Sequence, residues 1–111
     1  MQLSVVNENK LNILSLSGEV DMHESPRARE QILNCLKSGS NLLVDLSAVS
    51  YIDSSGIASL VEGLQLSKNQ HLDFGLVSIS DAVTQVLQLA RLDRVFTIYD
   101  SVDAYRNEVR Q

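Results

Sequence analysis

The chain has 111 residues, 44% of them hydrophobic, proportions that fit a single folded domain with its own core and exclude a disordered segment. Nine basic against fourteen acidic residues give a net charge of −5, with no basic cluster of the kind that neutralises phosphates, so a nucleic acid or an anionic membrane is not the expected partner. No apolar run reaches the roughly 20 residues of a membrane span and no signal peptide precedes the first strand-like segment, so the expectation is a cytoplasmic protein that binds another protein.

Leu3–Val6 and Leu11–Gly18 are apolar-rich runs separated by the polar stretch Asn-Glu-Asn-Lys, which predicts a β-hairpin. Ile13 and Leu14 interrupt the alternation of the second run, through either a bulge or a strand covered on both faces. Ser25 followed by Pro26 predicts a helix with Ser25 as N-cap and proline at its first position. Ala28, Ile32, Cys35 and Leu36 form the apolar face of that helix and Gly39 ends it. Cys35 is the only cysteine, which excludes an internal disulfide and argues against a thiolate metal site; it reads as a small buried apolar residue.

Asn41–Leu46 is a nearly continuous apolar run, as in a strand covered on both faces. The segment Val49–Leu64 follows, VSYIDSSGIASLVEGL, in which Ile57, Leu60, Val61 and Leu64 recur at helical spacing. A helix therefore starts within one or two residues of Asp53. Leu72–Ile79 alternates as a strand, and Ser80 or Asp81 caps a helix whose core face is Val83, Val86, Leu87 and Ala90. Val95–Asp100 is the last strand. Ser101 then caps a helix through Gln111 with Val102, Tyr105 and Val109 as its apolar stripe.

The order ββαβαβαβα predicts an α/β domain with a mixed, mostly parallel sheet and an N-terminal antiparallel hairpin. In such a sheet the loops Gly18–Ser25, Ser47–Ser55 and Ser78–Asp81 share one edge, where open α/β sheets place their sites. That edge gathers Asp21, Asp53, Ser54, Ser55, Ser78, Ser80 and Asp81.

Asp-Ser-Ser-Gly, residues 53 to 56, has three readings. In the first it is a cap: Asp53 accepts free N–H groups of the helix, the serines are tolerated in the first turn, and Gly56 permits close packing. In the second, a serine is a nucleophile. The chain has only His23 and His71 as imidazole bases, His71 belongs to the opposite edge, and G-x-S-x-G is absent, so an enzyme is not expected. The phosphate-binding patterns G-x-x-x-x-G-K-[ST] and G-x-G-x-x-G are absent as well. In the third, a serine accepts a phosphoryl group. The added charge meets the positive end of the helix dipole and the negative charge of Asp53, opposed terms of similar size, so the fold survives while a docked partner is repelled.

The motif series distinguishes these readings. LSGEVDMHESPRAREQIL, LLVDLSAVSYIDSSGIASL and LVSISDAVTQVLQLARLDRVFTIYDSVDAY occur in that order, and the chain resembles the STAS domain family, specifically its single-domain bacterial anti-sigma factor antagonists. The resemblance covers residues 1–111 as one domain. It implies partner switching: the antagonist binds an anti-sigma factor that is also a serine kinase, carrying the ATP, and so frees the sigma factor. It further implies that the kinase phosphorylates the second serine of the motif, Ser55, and that a PP2C-type, metal-dependent phosphatase reverses the step. Asp21, Asp53, Ser54 and Gly56 match the docking surface around the acceptor, and Ser80 is expected to join them. No cofactor and no metal ligand of the chain's own is implied.

Two departures stand out. Ala90 and Arg91 occupy positions where a glycine would help end a helix, for which a local loop change is expected, and Pro26 with its His-Glu-Ser lead-in is expected to alter the partner surface. Two further functions share the fold: the same switch acting on a target other than a sigma factor, and a subunit of a membrane-lipid ABC transporter complex that binds its ATPase without phosphorylation. The intact Asp-Ser-Ser-Gly argues against the transporter subunit.

Overall fold

The computed structural model describes residues 1–109; Arg110 and Gln111, the end of the last expected helix, lie outside the described residues. Along the chain run β1 (Gln2–Glu8), β2 (Leu11–Val20), α1 (Ser25–Lys37), β3 (Asn41–Ile52), α2 (Ser54–Asn69), β4 (Phe74–Val77), α3 (Asp81–Leu89), β5 (Thr97–Tyr99) and α4 (Val102–Val109). This is the ββαβαβαβα order read from the sequence. The strands form one sheet in the order β1-β2-β3-β4-β5, with β1 antiparallel to β2 and every other pair parallel. The hairpin turns on Asn9 and Lys10, both at positive φ (44° and 66°), the backbone of a two-residue turn that matches strand twist.

Because β2 to β5 follow each other across the sheet, the three crossover helices lie on one face. There Leu14, Leu16 and Val20 of β2, Leu42, Val44 and Leu46 of β3, and Leu76 of β4 meet Ile32 and Leu36 of α1, Leu60 of α2 and Leu87 of α3. Cys35 belongs to this core, and burial pushes its thiol above the ordinary range, as its reading as a small apolar residue requires. The opposite face carries a smaller cluster of Leu11, Leu43, Val77 and Tyr105, with Ile13 packed against it. Ile13 and Leu14 are therefore adjacent because both faces of β2 are covered there. The helices also approach closely at Gly63: a Cβ at that position would stand 2.6 Å from Ile32 Cγ2 and 2.8 Å from Phe74 Cε2.

β3 corrects the expected strand end at Leu46, for it continues six residues further, to Ile52. Its register against β2 shifts twice. Ser15 pairs Asp45 while Ser17 pairs Ala48, and Gly18 pairs Val49 while Glu19 pairs Tyr51. Each shift places one extra residue in β3, a β-bulge. Core residues consequently recur at intervals of three, Leu46, Val49 and Ile52, a spacing that is neither the strand's nor the helix's period. β4 accompanies β3 only as far as Asp45, so β2 is the strand that pairs with the extension.

Other element ends also move. β4 is buried along all four residues, covered on both faces with no alternation, and β5 is three residues long. Phe96, just before β5, is buried, whereas Val95 is exposed. Ala90 is not on the core face of α3: it lies past the helix end and is exposed. Val109 is likewise exposed, leaving Tyr105 as the buried anchor of α4. Ser101 Oγ accepts the Ala104 N–H at 3.1 Å, as its reading as a cap requires.

Candidate functional site: the Asp53–Ser55 turn and the cleft beside it

α2 starts where the extended β3 ends. Asp53 has extended backbone and is its N-cap: Oδ1 accepts the N–H of Ser55 at 3.0 Å and of Gly56 at 3.3 Å. The same oxygen accepts the Ser55 hydroxyl at 2.5 Å. Donation from that hydroxyl, opposed by partial desolvation and supported by the N–H groups of Gly56, Ser55 and Met22, holds the Asp53 carboxyl below the ordinary carboxylate range. Asp53 is thus an anion at neutral pH that orients Ser55 Oγ. A carboxylate of low basicity is a poor proton acceptor in catalysis, and no histidine bonds this serine.

Gly56 completes the turn. A Cβ here would stand 2.6 Å from Ile52 Cγ1 and 3.0 Å from Val20 Cγ1, so the helix can sit this low on the ends of β2 and β3 only without a side chain. Ser54, on the outer side, is exposed; Ser55 is half-buried.

The β2–α1 loop adjoins this turn. The Met22 N–H reaches the Asp53 carboxylate, and the Asp53 N–H donates to the Val20 carbonyl at 3.3 Å. Asp21 Oδ1 accepts the N–H groups of His23 (3.0 Å) and Glu24 (3.1 Å), while the Asp21 carbonyl accepts the Ser25 N–H at 2.8 Å. This turn begins α1 one residue earlier than expected. The N-cap is Glu24, without a side-chain capping bond, and Ser25 is a buried residue of the first turn. Asp21 closes the turn before the helix and its carbonyl takes the first helical N–H, that of Ser25, while the Glu24 carbonyl accepts the N–H groups of Arg27 and Ala28.

Ser80 lies a step lower. Its hydroxyl donates to the Val49 carbonyl at 2.7 Å and accepts the Val83 N–H at 3.3 Å, so Ser80, not Asp81, caps α3 and clamps it to the bulged part of β3. Ser78 has a positive φ of 53°, and its hydroxyl donates to the Asp100 carbonyl. The structure thus joins Asp21, Asp53, Ser54, Ser55 and Gly56, and sets Ser80 against Leu46 and Val49, beside the strand below them.

Sequence reasoning missed the cleft. Ser55 lines an open groove of about 240 Å³ between α1 and α2, along with Ser25, Arg29, Ser59 and Glu62. Ser55, Ser59 and Glu62 recur at helical spacing beside the apolar stripe of α2, a polar row that the eye passes over while tracing the core. Ser59 Oγ donates to the Ser55 and Ser25 carbonyls, and Arg29 Nε pairs with Glu62 Oε2 at 2.7 Å across the groove. Near the turn, Met22 is 73% and Tyr51 49% exposed, large apolar surface left uncovered. Among the described residues no group of His, Cys, Asp and Glu side chains could hold a metal ion, and no helix is long and apolar enough to cross a membrane.

An α/β sheet with its three crossover helices on one face and a capped serine turn at its rim defines a class of small domain, and comparison with known proteins gives the family. The STAS domain family model matches residues 2–105, and the chain belongs to that family. An anti-sigma-B factor antagonist of Bacillus subtilis is 27% identical over 92 residues, 83% of this chain and 84% of its own length. The crystal structure of a Thermotoga maritima protein matches with a TM-score of 0.89 at 28% identity, over 98% of this chain and 95% of the other. That of an anti-sigma factor antagonist from Mycobacterium paratuberculosis matches with a TM-score of 0.84 at 27% identity, over 99% and 94%.

Proposed function

We propose that this protein is an anti-sigma factor antagonist that works by partner switching. Unphosphorylated, it binds an anti-sigma factor that is also a serine kinase. The kinase transfers the γ-phosphoryl group of its ATP to Ser55: the Oγ–phosphorus bond forms, the bond to the β-phosphate oxygen breaks, ADP leaves, and the hydroxyl proton is lost. A PP2C-type phosphatase hydrolyses the ester and resets the protein. The observation that carries this reading is the half-buried Ser55, its hydroxyl held 2.5 Å from an ionised Asp53 at a helix start, with no histidine bonded to it among the described residues.

The energetics favour a switch of binding over one of folding. A phosphoryl group adds about −1.5 to −2 charges at neutral pH. It lies where the positive end of α2 and the Asp53 carboxylate pull in opposite directions, so folding changes little. A partner pressed against the same turn would have to bury an unpaired dianion at several kcal/mol, and each 1.4 kcal/mol is tenfold in affinity. Asp21, Ser54, Gly56, Met22 and Tyr51 surround the acceptor as docking surface, and Ser80 supports it by fixing the strand beneath. The names of the relatives support this reading for the protein as a whole.

Incubation with the cognate kinase and ATP, read by intact mass and peptide mapping, tests it: one phosphate, on Ser55, is the expected result. No phosphate would favour the transporter-subunit role, and a phosphate retained in Ser55→Ala would move the acceptor to Ser54. A switch acting on a target other than a sigma factor gives the same mass, and is separated by what Ser55→Ala captures.

A further inference from the structure

The Ser55 hydroxyl spends its proton on Asp53 Oδ1 at 2.5 Å. Esterification removes that proton and puts a dianion where a donor stood, so attraction to Asp53 becomes repulsion between two anions. The side chain then has reason to leave this rotamer. The space open to it is the groove of about 240 Å³ between α1 and α2, which Ser55 already lines. Among the described residues one cation lines that groove, Arg29 of α1, paired with Glu62 of α2 at 2.7 Å. Its side chain is 51% exposed and that of Glu62 45%, so their pairing is weakly held. A guanidinium binds a phosphate dianion in preference to a single carboxylate, through its paired N–H groups.

We propose that phosphorylation of Ser55 re-pairs Arg29: the guanidinium leaves Glu62 and clasps the phosphoryl group within the α1–α2 groove. This rests on Ser55 being the acceptor. The phosphoprotein would thus hold its own modification through a residue of the neighbouring helix, and the phosphatase would have to draw the ester out of that clasp.

Among the described residues, Asp53 precedes Ser55 and bonds its hydroxyl, while Glu62 of α2 and Arg29 of α1 line the same groove. In the β2–α1 loop the Asp21 carboxylate accepts the N–H groups of His23 and Glu24, while Glu24 pairs with Arg27 and the N-terminal amine. A clasping cation favours the dianion and lowers the second phosphate pKa from its ordinary value of about 6.

The test installs phosphoserine at position 55 by amber suppression, without the kinase, in a His23→Gln background that removes the loop's imidazole. The ³¹P resonance is followed against pH in this protein and in Arg29→Gln, Arg29→Lys and Glu62→Gln versions. The expected result is a phosphate pKa lowered by about half a unit or more, mostly restored in Arg29→Gln, partly restored in Arg29→Lys and lowered further in Glu62→Gln, where the competitor is gone. Titration unchanged between the parent and Arg29→Gln, each with native-like spectra, would overturn the clasp and leave the phosphate in solvent at the helix end. A kinase that fails to modify Ser55 would count against the acceptor assignment instead, and the suppression experiment would still read the clasp.

Discussion

The Cβ that Gly56 lacks would stand 2.6 Å from Ile52 Cγ1, closer than non-bonded carbon atoms sit in proteins. The last buried residue of β3 and the third residue of α2 are therefore fitted to each other, and the serine turn is held between them. Gly56→Ala should destabilise the protein by about 1–3 kcal/mol by overpacking, although alanine alone would favour the helix by up to about 1 kcal/mol. Urea unfolding measures the balance, and a stability equal to wild type would mean that Ile52 and Val20 yield.

Asp53→Asn keeps a good N-cap, so its unfolding should stay close to that of wild type at neutral pH, whereas Asp53→Ala should unfold at lower urea. Phosphorylation of Asp53→Asn should slow on the order of tenfold, the worth of one charge-assisted hydrogen bond. The carboxyl sits below its ordinary range in the fold, through the Ser55 hydroxyl first. Its stabilising effect is therefore complete above the unfolded value of about 3.9 and disappears as pH falls through the lower folded value. Wild type, equal to Asp53→Asn at neutral pH, should fall below it in stability at that acid end, a comparison that thermal melts across pH would make.

Ser55→Ala should bind the kinase at least as tightly as wild type and stay bound in ATP, while Ser55→Glu should weaken binding roughly a hundredfold, the equivalent of two tenfold steps of lost affinity. Calorimetry with and without ATP measures both. Ser54→Ala, altering an exposed neighbour, should still be phosphorylated and released.

Arg91 follows the C-cap of α3 at φ 58°, its N–H donating to the Gln88 carbonyl and that of Leu92 to the Leu87 carbonyl. This is the helix-ending motif in which glycine normally takes the left-handed position. The departure noted in the sequence therefore leaves the loop geometry intact at a cost in backbone strain. Arg91→Gly should raise stability by about 0.5–1 kcal/mol and Arg91→Val should lower it, both read as shifts of the urea midpoint.

Tyr105 anchors α4: its hydroxyl donates to Asp73 Oδ2 at 2.9 Å, and its ring meets that of Tyr99 edge-on. Burial first, then the Asp73 carboxylate, pushes its pKa well up. A raised phenol pKa contributes stability that is complete below the unfolded value of about 10 and declines as pH rises beyond it. Tyr105→Phe should cost about 1–2 kcal/mol at pH 7 and flatten the alkaline loss of stability. Tyr99, also raised by burial and by Glu108 and Asp73, and the buried Cys35 thiol contribute to the slope that remains.

The element order was legible because most helices and strands obey a single period: Ile57, Leu60 and Leu64 announce α2, and Leu42 to Leu46 announce the buried part of β3. The Asp53 cap was legible because capping is local, needing only an acid two and three residues before the N–H groups it accepts. The end of β3 was not, since each bulge breaks the alternation by which a strand is recognised. Ser25 looked like a cap because serine before proline usually is one, but Asp21 four residues earlier had already closed the turn. The pairing of Arg29 with Glu62 was out of reach for another reason: it joins residues 33 apart, and nothing within either helix indicates which faces will meet.

The two supernumerary residues of β3 also make the rim a matter of counting. Deleting either would shift every later residue of the strand by half a pleat, turn Ile52 outward, and swing the cap and its alcohol toward the opposite side of the sheet. Here the number of residues between Asp45 and Asp53 constrains the switch as tightly as their identities do.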